Sequence, residues 1–441
     1  MLSESQQKSI ARALETAQAR YVAQNPRSRE QHMKAAKVLP GGNTRSVLFS
    51  TPFPITLTSS RGCTVTSLDG REYIDFLGEY TAGLYGHSDP TLAAAVKAAL
   101  EHGWVMGGHI QAEEELAQQI CKRFPSIQLI RFTNSGTEAN LYAISAAKAI
   151  SGKPKVLVFE GAYHGGVFVF GTKPSPLTAP FEFVRAPYND IAGTQAVLDA
   201  NRDAVGTIVV EPMQGSGGCI PADPAFLRML REWTDRNAAI LVFDEVMTSR
   251  LAPGGLQGVH GIRPDLTTLG KYIGGGFSFG AFGGREDLMV RFDPARPDAL
   301  GHAGTFNNNV FTMTAGAAGL RDVYTPQVNG ALNARGDELR RQLNVESMRA
   351  LFPLQFTGRG SMMNMHPCRG EVRSILDLVQ CHAGLRDLFY FEMLARGIWL
   401  ARRGMVNLSL PMEDRHCAAL ANAVREFVDT CNSLLGDGPR Q

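Results

Sequence analysis

Two stretches decide the fold of this chain: Leu241-Val-Phe-Asp-Glu-Val246 and, soon after it, Leu266-Thr-Thr-Leu-Gly-Lys271. Each is a short apolar run with chemistry at its end. A carboxylate closing a buried strand is costly unless it meets a partner or serves a site. A lysine beside a buried run, followed by Tyr272 and three glycines, is equally out of place. Similar four-residue runs lie upstream, Leu129-Ile-Arg-Phe132, Val156-Leu-Val-Phe159 and Thr207-Ile-Val-Val210, and with Ile240-Leu-Val-Phe243 and Leu266-Thr-Thr-Leu269 they make five. Helical patterns or Gly/Pro loops bound each run. Short apolar strands alternating with helices predict an α/β domain whose mainly parallel sheet is buried on both faces.

The flanks read differently. Residues 4–36 have helical spacing, interrupted at Asn25-Pro26. Ile55 to Leu57, Cys63 to Val65 and Glu72 to Ile74 read as short strands, with Asp69-Gly70 as a hairpin turn. Residues 312–349 are helical, and Gln355 to Thr357, Ser361 to Met365 and Val406 to Leu410 are strand candidates. The expected division is a segment 1–74 that completes a small α+β domain, a large domain 75–320, and the C-terminal small domain 321–441.

Composition narrows the function. The 441 residues carry 44 Lys plus Arg against 42 Asp plus Glu, a formal balance of +2. That balance makes no electrostatic case for nucleic acid or an anionic membrane surface. No window approaches the roughly 20 apolar residues of a membrane span. Seven scattered cysteines without a C-x-x-C, and no signal-peptide pattern at Ser3 to Lys8, predict reduced thiols and a cytoplasmic protein.

In an open α/β sheet, ligands bind beyond the carboxyl ends of the strands. After Phe132 comes Thr133-Asn-Ser-Gly-Thr-Glu-Ala-Asn140 and an Ala-rich helix. Free amides and the helix dipole suit such a turn to an anion, with Ser135 and Thr137 adding hydroxyls. Alone, it reads sooner as a plain helix cap with Glu138 in the first turn. Asp244 alone reads as a solvated or ion-paired strand end. Lys271 could be a surface lysine, or a desolvated amine able to attack carbonyls. Gly276-Phe-Ser-Phe-Gly280 matches the hydrolase elbow G-x-S-x-G, but glycines stand where a strand and a helix belong. There is no G-x-G-x-x-G, and no His/Cys spacing for zinc, so no metal site is expected.

Together these parts suit one cofactor. Pyridoxal phosphate needs a phosphate cradle, an acid at its pyridine nitrogen, a flat group over its ring and a Schiff-base lysine. The chain resembles the class III aminotransferases of the fold type I family. The likeness rests on residues 134–140, Tyr163-His-Gly165, Glu211-Pro-Met-Gln-Gly215, Leu241 to Val246, Asp265 to Lys271 and Gly304-Thr-Phe306. It implies that Lys271 holds the cofactor and moves the proton, and that Asp244 bonds the pyridine nitrogen. It implies Ser135, Gly136 and Thr137 at the phosphate, Tyr163 and Val246 on the ring faces, and Gln214 near the ring hydroxyl. Glu211 is implied as structural or as a guide to the site. Thr305 would reach the phosphate of a neighbouring subunit, which implies a homodimer with shared sites. The Gly-rich stretch 274–284 would be a loop shaping the pocket.

Within this family the chain looks like the glutamate-1-semialdehyde aminomutase-like branch, and within that the β-phenylalanine aminotransferases. Pro40-Gly-Gly-Asn-Thr-Arg45-Ser-Val-Leu-Phe49, Glu79 to Gly83, Tyr85-Gly-His87 and Gly304 to Asn309 carry this likeness. It implies a transaminase that moves the amino group of a β-amino acid, of the aromatic kind, to 2-oxoglutarate or pyruvate. Arg45 would take the donor carboxylate and Arg403 the α-carboxylate of the acceptor, since a guanidinium fork gives two parallel hydrogen bonds. An aminomutase that shuffles an amine within one substrate is the alternative. A racemase or decarboxylase, a non-catalytic cofactor carrier and a serine hydrolase at Ser278 stand behind it.

Overall fold

The computed structural model describes residues 3–435. Its centre is a seven-stranded sheet in the spatial order Leu129–Thr133, Gly280–Gly284, Leu266–Gly270, Ile240–Asp244, Val205–Val210, Lys155–Phe159, Glu182–Ala186. Only Gly280–Gly284 runs against its neighbours. All five expected runs are strands of this sheet, and it is mainly parallel as expected. Every residue of Val205–Val210 and Ile240–Asp244 is buried, which is why these strands show no polar alternation. Val209, Val210, Leu241, Val242 and Phe243 are fully enclosed; each such side chain contributes about 1.5–3 kcal/mol.

The stretch 274–284 corrects one expectation. Its first part is a turn, but Gly280–Gly284 is a buried strand rather than a loop. Glycine is a poor strand former by propensity. Here close approach decides: a Cβ on Gly280 would collide with the Ser135 carbonyl oxygen. The helix Gly136–Ser151 lies against this strand, and its buried Ala139, Ala143, Ala146 and Ala147 let the two come close. Ser278 therefore precedes a strand, and no hydrolase elbow forms.

Smaller sheets accompany the large one, among them a two-stranded pair of Met213–Gln214 with Ile220–Pro221. Leu57–Arg61, Thr64–Ser67 and Glu72–Asp75 form an antiparallel set, and Ile398–Trp399 adds to it in parallel. The first strand begins where the expected one ends, at Leu57, and all its residues are exposed. The hairpin turn is at Asp69, whose carboxylate accepts from the amides of Arg27 and Ser28 at 2.7 and 3.1 Å. It thereby tethers the helix Pro26–Ala35, which follows Glu4–Gln24 after the expected break at Asn25. Another sheet joins Gln355–Arg359, Met362–His366 and Met405–Asn407. Among the described residues no helix is long and apolar enough to cross a membrane.

Candidate active site

The parallel strands end on one edge of the large sheet, and the loops leaving that edge carry most of the expected site. Asp244 closes the central strand and is buried. Its Oδ2 accepts from Asn140 Nδ2 at 2.9 Å and faces His164 Nδ1 at 2.7 Å; its Oδ1 accepts from the Val246 amide at 3.0 Å. Asn140 is fixed in turn by Thr268 Oγ1, which donates to its Oδ1 at 2.8 Å. The adjoining Glu245 turns away. It accepts from Thr248 and from the Leu256 and Gln257 amides, a structural role.

One strand over, Lys271 follows Gly270 with its own backbone in the left-handed region, φ 59°. A non-glycine residue there costs about 1–3 kcal/mol and persists where its surroundings over-determine it. Burial pushes the Lys271 amine down to about 8. The charges of Arg45 and Arg403 push the same way, while Glu79 and Asp244 oppose them. The Lys271 amine makes no hydrogen bond or ion pair among the described residues. An amine so placed is substantially neutral near pH 8 and nucleophilic.

The turn after Leu129–Thr133 opens the helix Gly136–Ser151. Ser135 is its N-cap, accepting from the Glu138 amide at 3.1 Å, as the cap reading expects. The Gly136 and Thr137 amides, in the first turn, have no intrahelical acceptor. Val246 roofs this turn: a Cβ on Gly136 would come within 2.9 Å of Val246 Cγ1. Thr137 Oγ1 accepts from the Gly166 amide at 3.1 Å, which draws the Tyr163 loop to the cradle. Tyr163 itself is 41% exposed, a flat ring with a free face.

Glu211 and Gln214 lie beneath that loop. Glu211 accepts from the Tyr163 amide at 3.2 Å and the Gly215 amide at 3.1 Å. Burial, and then the Asp244 charge, hold its carboxyl well above the usual carboxylate range. Gln214 is fully buried and donates to Glu160 O at 2.8 Å, while its Oε1 has no protein partner. His164, Glu211 and Asp244 bring ligand-type atoms within 4.8 Å of one another, a grouping that the sequence spacing does not reveal. His164 already engages Asp244 Oδ2 within the group, and the Val246 amide engages Oδ1 from outside it.

The two arginines arrive from outside the sheet and meet at Tyr80. Arg45 is ion-paired with Glu79 and its Cζ lies 5.8 Å from the Tyr80 ring centroid. Arg403 Cζ lies 5.0 Å from the same centroid, and its Nη1 donates to Ser216 Oγ at 2.9 Å. Arg402 is committed elsewhere, to both oxygens of Asp387 and to Thr51. Thr305 is exposed and makes no hydrogen bond within its own chain among the described residues. Its loop is tied to the cradle through Asn134 Nδ2, which donates to Asn307 Oδ1 at 3.0 Å. Of the residues that matter here, Asn140, His164, Tyr80 and Ser216 receive no role from the sequence. Each lies inside or beside a quoted motif, but only the tertiary contacts single it out.

The set fits pyridoxal phosphate on its own chemistry. A depressed, unpartnered amine, a fixed strand-end carboxylate, open helix amides and the orphaned Gln214 Oε1 would meet an aldehyde, a ring nitrogen, a phosphate and a ring hydroxyl. The comparisons agree. A family model described as Aminotransferase class-III matches residues 49–423. The chain is 50% identical over 426 residues to beta-phenylalanine transaminase of Variovorax paradoxus, covering 97% of this chain and 98% of that one. A solved structure of a beta-phenylalanine aminotransferase from Variovorax paradoxus superposes with a TM-score of 0.94 at 50% identity, covering 96% and 98% of the two chains. Glutamate-1-semialdehyde 2,1-aminomutase of Methanothermobacter thermautotrophicus is 34% identical, covering 91% of this chain and 99% of that one. The fold is therefore fold type I and the cofactor pyridoxal phosphate: the chain belongs to the class III aminotransferases.

Proposed function

We propose that the chain transfers the amino group of a β-amino acid, aromatic in the manner of β-phenylalanine, to an oxo acid such as 2-oxoglutarate or pyruvate. The observation that carries this reading is the pair of guanidiniums over Tyr80, both close enough to Lys271 for their charges to depress its amine. A transaminase of this kind receives two carboxylates in turn, one from each substrate. Two separate forks can hold them at different distances from the reacting carbon. Half the residues shared with the Variovorax enzyme support the donor class.

Pyridoxal phosphate supplies an aldehyde that takes up the amine and a ring that draws electrons from the reacting carbon. Asp244 would hold the ring nitrogen, with Asn140 and His164 orienting its carboxylate. Ser135, Gly136 and Thr137 would hold the phosphate, Tyr163 and Val246 the ring faces, and Gln214 the hydroxyl. Lys271 Nζ, neutral in part near pH 8, would take the proton from the amine-bearing carbon of the donor. In the return half it would hand a proton to the former carbonyl carbon of the acceptor. Arg45 would bind the donor carboxylate once Glu79 yields it, and Arg403 the acceptor carboxylate.

We further place the protein in a homodimer in the cytoplasm. Exposed Trp104, Val105, Met106 and Phe306 offer an apolar face near the exposed Thr305, which suits a second copy. Seven free cysteines suit a reducing compartment.

A panel of β-amino acids, carboxylate-free amines and α-amino acids, read at the cofactor absorbance, tests the assignment. The expected result is conversion of β-phenylalanine with an oxo acid present and a new amino acid formed from it. The 34% identity to an aminomutase favours one other reading, intramolecular amino transfer. Turnover that needs no oxo acid would establish it instead.

A further inference from the structure

Tyr80 is buried, and two guanidiniums share its ring. Cations within about 6 Å of an aromatic centroid are drawn to the ring face. The ring is itself held firmly. Its hydroxyl donates to Val47 O at 3.2 Å, in the turn that follows Arg45. Its backbone sits inside a run of four left-handed residues: Gly78 at φ 53°, Glu79 at 47°, Tyr80 at 51° and Thr81 at 82°. Three of these four carry a Cβ, so outside contacts must impose the conformation. Asp75 Oδ1 accepts from the Leu77 and Gly78 amides at 2.9 and 3.0 Å. Arg250 Nη1 donates to Thr81 O at 3.2 Å, and Asn407 Nδ2 to Leu77 O at 2.8 Å.

The arginines have few other anchors. Arg403 bonds Ser216 Oγ and approaches Met405 Sδ at 3.7 Å, and its Nε is buried without a partner. Arg45 has the half-exposed Glu79, a pair that solvent weakens. Two like charges would separate if nothing drew them together. The ring is the feature common to both.

We propose that Tyr80 is a positioning residue whose ring is a single platform for both carboxylate-binding guanidiniums, setting where donor and acceptor acids are received. The proposal rests on the assignment of Arg45 and Arg403 to substrate carboxylates. It makes donor and acceptor affinity depend on one side chain that touches neither reacting atom.

The test uses the loaded enzyme and the variants Tyr80→Leu, Tyr80→Phe, Arg45→Ala and Arg403→Ala. KM and kcat are measured for β-phenylalanine and for the oxo acid, with kcat/KM for a carboxylate-free aryl amine as reference. Removing the ring is expected to raise both KM values by about two- to thirtyfold, with kcat falling less. Selectivity for β-phenylalanine over the amine falls in the same variant. Tyr80→Phe keeps the ring and is expected to stay close to the parent for the acceptor. A rise in only one KM, or an equal loss on all three substrates, overturns the platform. Should Tyr80→Leu fail to hold cofactor, Tyr80→His is read at a pH where imidazole is neutral. Its weaker ring is expected to move both KM values up by a smaller factor, and no movement overturns the proposal. If Arg45→Ala and Arg403→Ala leave the KM values unchanged, the two-carboxylate reading itself falls. If those two variants behave as assigned and Tyr80→Leu does not, only the platform is lost.

Discussion

His164 Nδ1 lies 2.7 Å from Asp244 Oδ2, with both side chains buried and Asn140 Nδ2 on the same oxygen. With Asp244 ionised, Nδ1 carries the proton of that bond. His164 Nε2 is then the free ring atom, and it has no protein partner. A hydrogen bond to a charged group contributes about 1.5–3 kcal/mol, so His164→Ala is expected to slow the donor half-reaction roughly tenfold to a hundredfold. His164→Asn, which restores a donor, should recover part of the loss. Asp244→Asn should cost more than either, since it removes the charge itself. Stopped-flow traces of the cofactor band check the order; a His164→Ala enzyme as fast as the parent would remove His164 from this role.

The Lys271 amine sets a pH dependence. The reactive form is the neutral one, so capture of pyridoxal phosphate by the apoprotein should speed up as pH rises through about 8 and level off above it. Burial is the largest cause, and charge is the adjustable one. Arg45→Ala removes a positive neighbour and should move the midpoint up. Glu79→Gln removes a negative one and should move it down. Capture rates across the neutral to alkaline range read both shifts. Displacements in the opposite sense would refute this electrostatic account.

Much of this was open to reading before any fold was known, for a physical reason. A buried parallel strand must be apolar throughout, so a charged residue at its end stands out; Asp244 and Lys271 were visible that way. Gly280–Gly284 was not. Three of its five residues are glycine, which disfavours strands, and its place depends on close approach to the Ser135 turn and the Ala-rich helix that follows it. Nor was Tyr80. Its left-handed backbone is imposed by Asp75 and by Arg250, the latter 169 positions from Thr81, whose carbonyl it holds. Left-handed geometry shows in a sequence when glycine supplies it, and here only Gly78 of the four does.

Arg250 should be a stability determinant. It is fully buried, with no carboxylate partner among the described residues. Its guanidinium serves Thr81 O, Leu408 O and Ser361 Oγ, so it joins the segment after the central strand to both the left-handed corner and the flanks of the sheet that holds Met362–His366 and Met405–Asn407. Its own carbonyl accepts from Tyr324, Asn329 and Asn333 at 2.6, 3.0 and 3.0 Å. Arg250→Met keeps the bulk but strands three acceptors, an expected loss of roughly 2–5 kcal/mol. Calorimetry should show a lower thermal midpoint, and the loosened Thr81 corner should raise KM for carboxylate substrates in parallel. A lower midpoint with unaltered KM would confine Arg250 to stability.

Gly280→Ala should strike the cradle from behind. Gly280 pairs with Thr133 on one side and Gly270 on the other, so it is wedged between the two segments that lead to the turn and to Lys271. An added Cβ meets Ser135 O and Thr133 Oγ1. Overpacking of this kind costs about 1–3 kcal/mol, and the Ser135 turn is the part that can give way. Retreat of that turn spoils phosphate binding while leaving the Lys271 amine in place. The expected signature is a fall in affinity for pyridoxal phosphate of roughly five- to a hundredfold, against a small change for pyridoxal, which has no phosphate. Gly301→Ala, where a Cβ meets nothing within 4 Å, serves as the control. Equal losses for the two aldehydes would place the damage at Lys271 rather than at the phosphate turn.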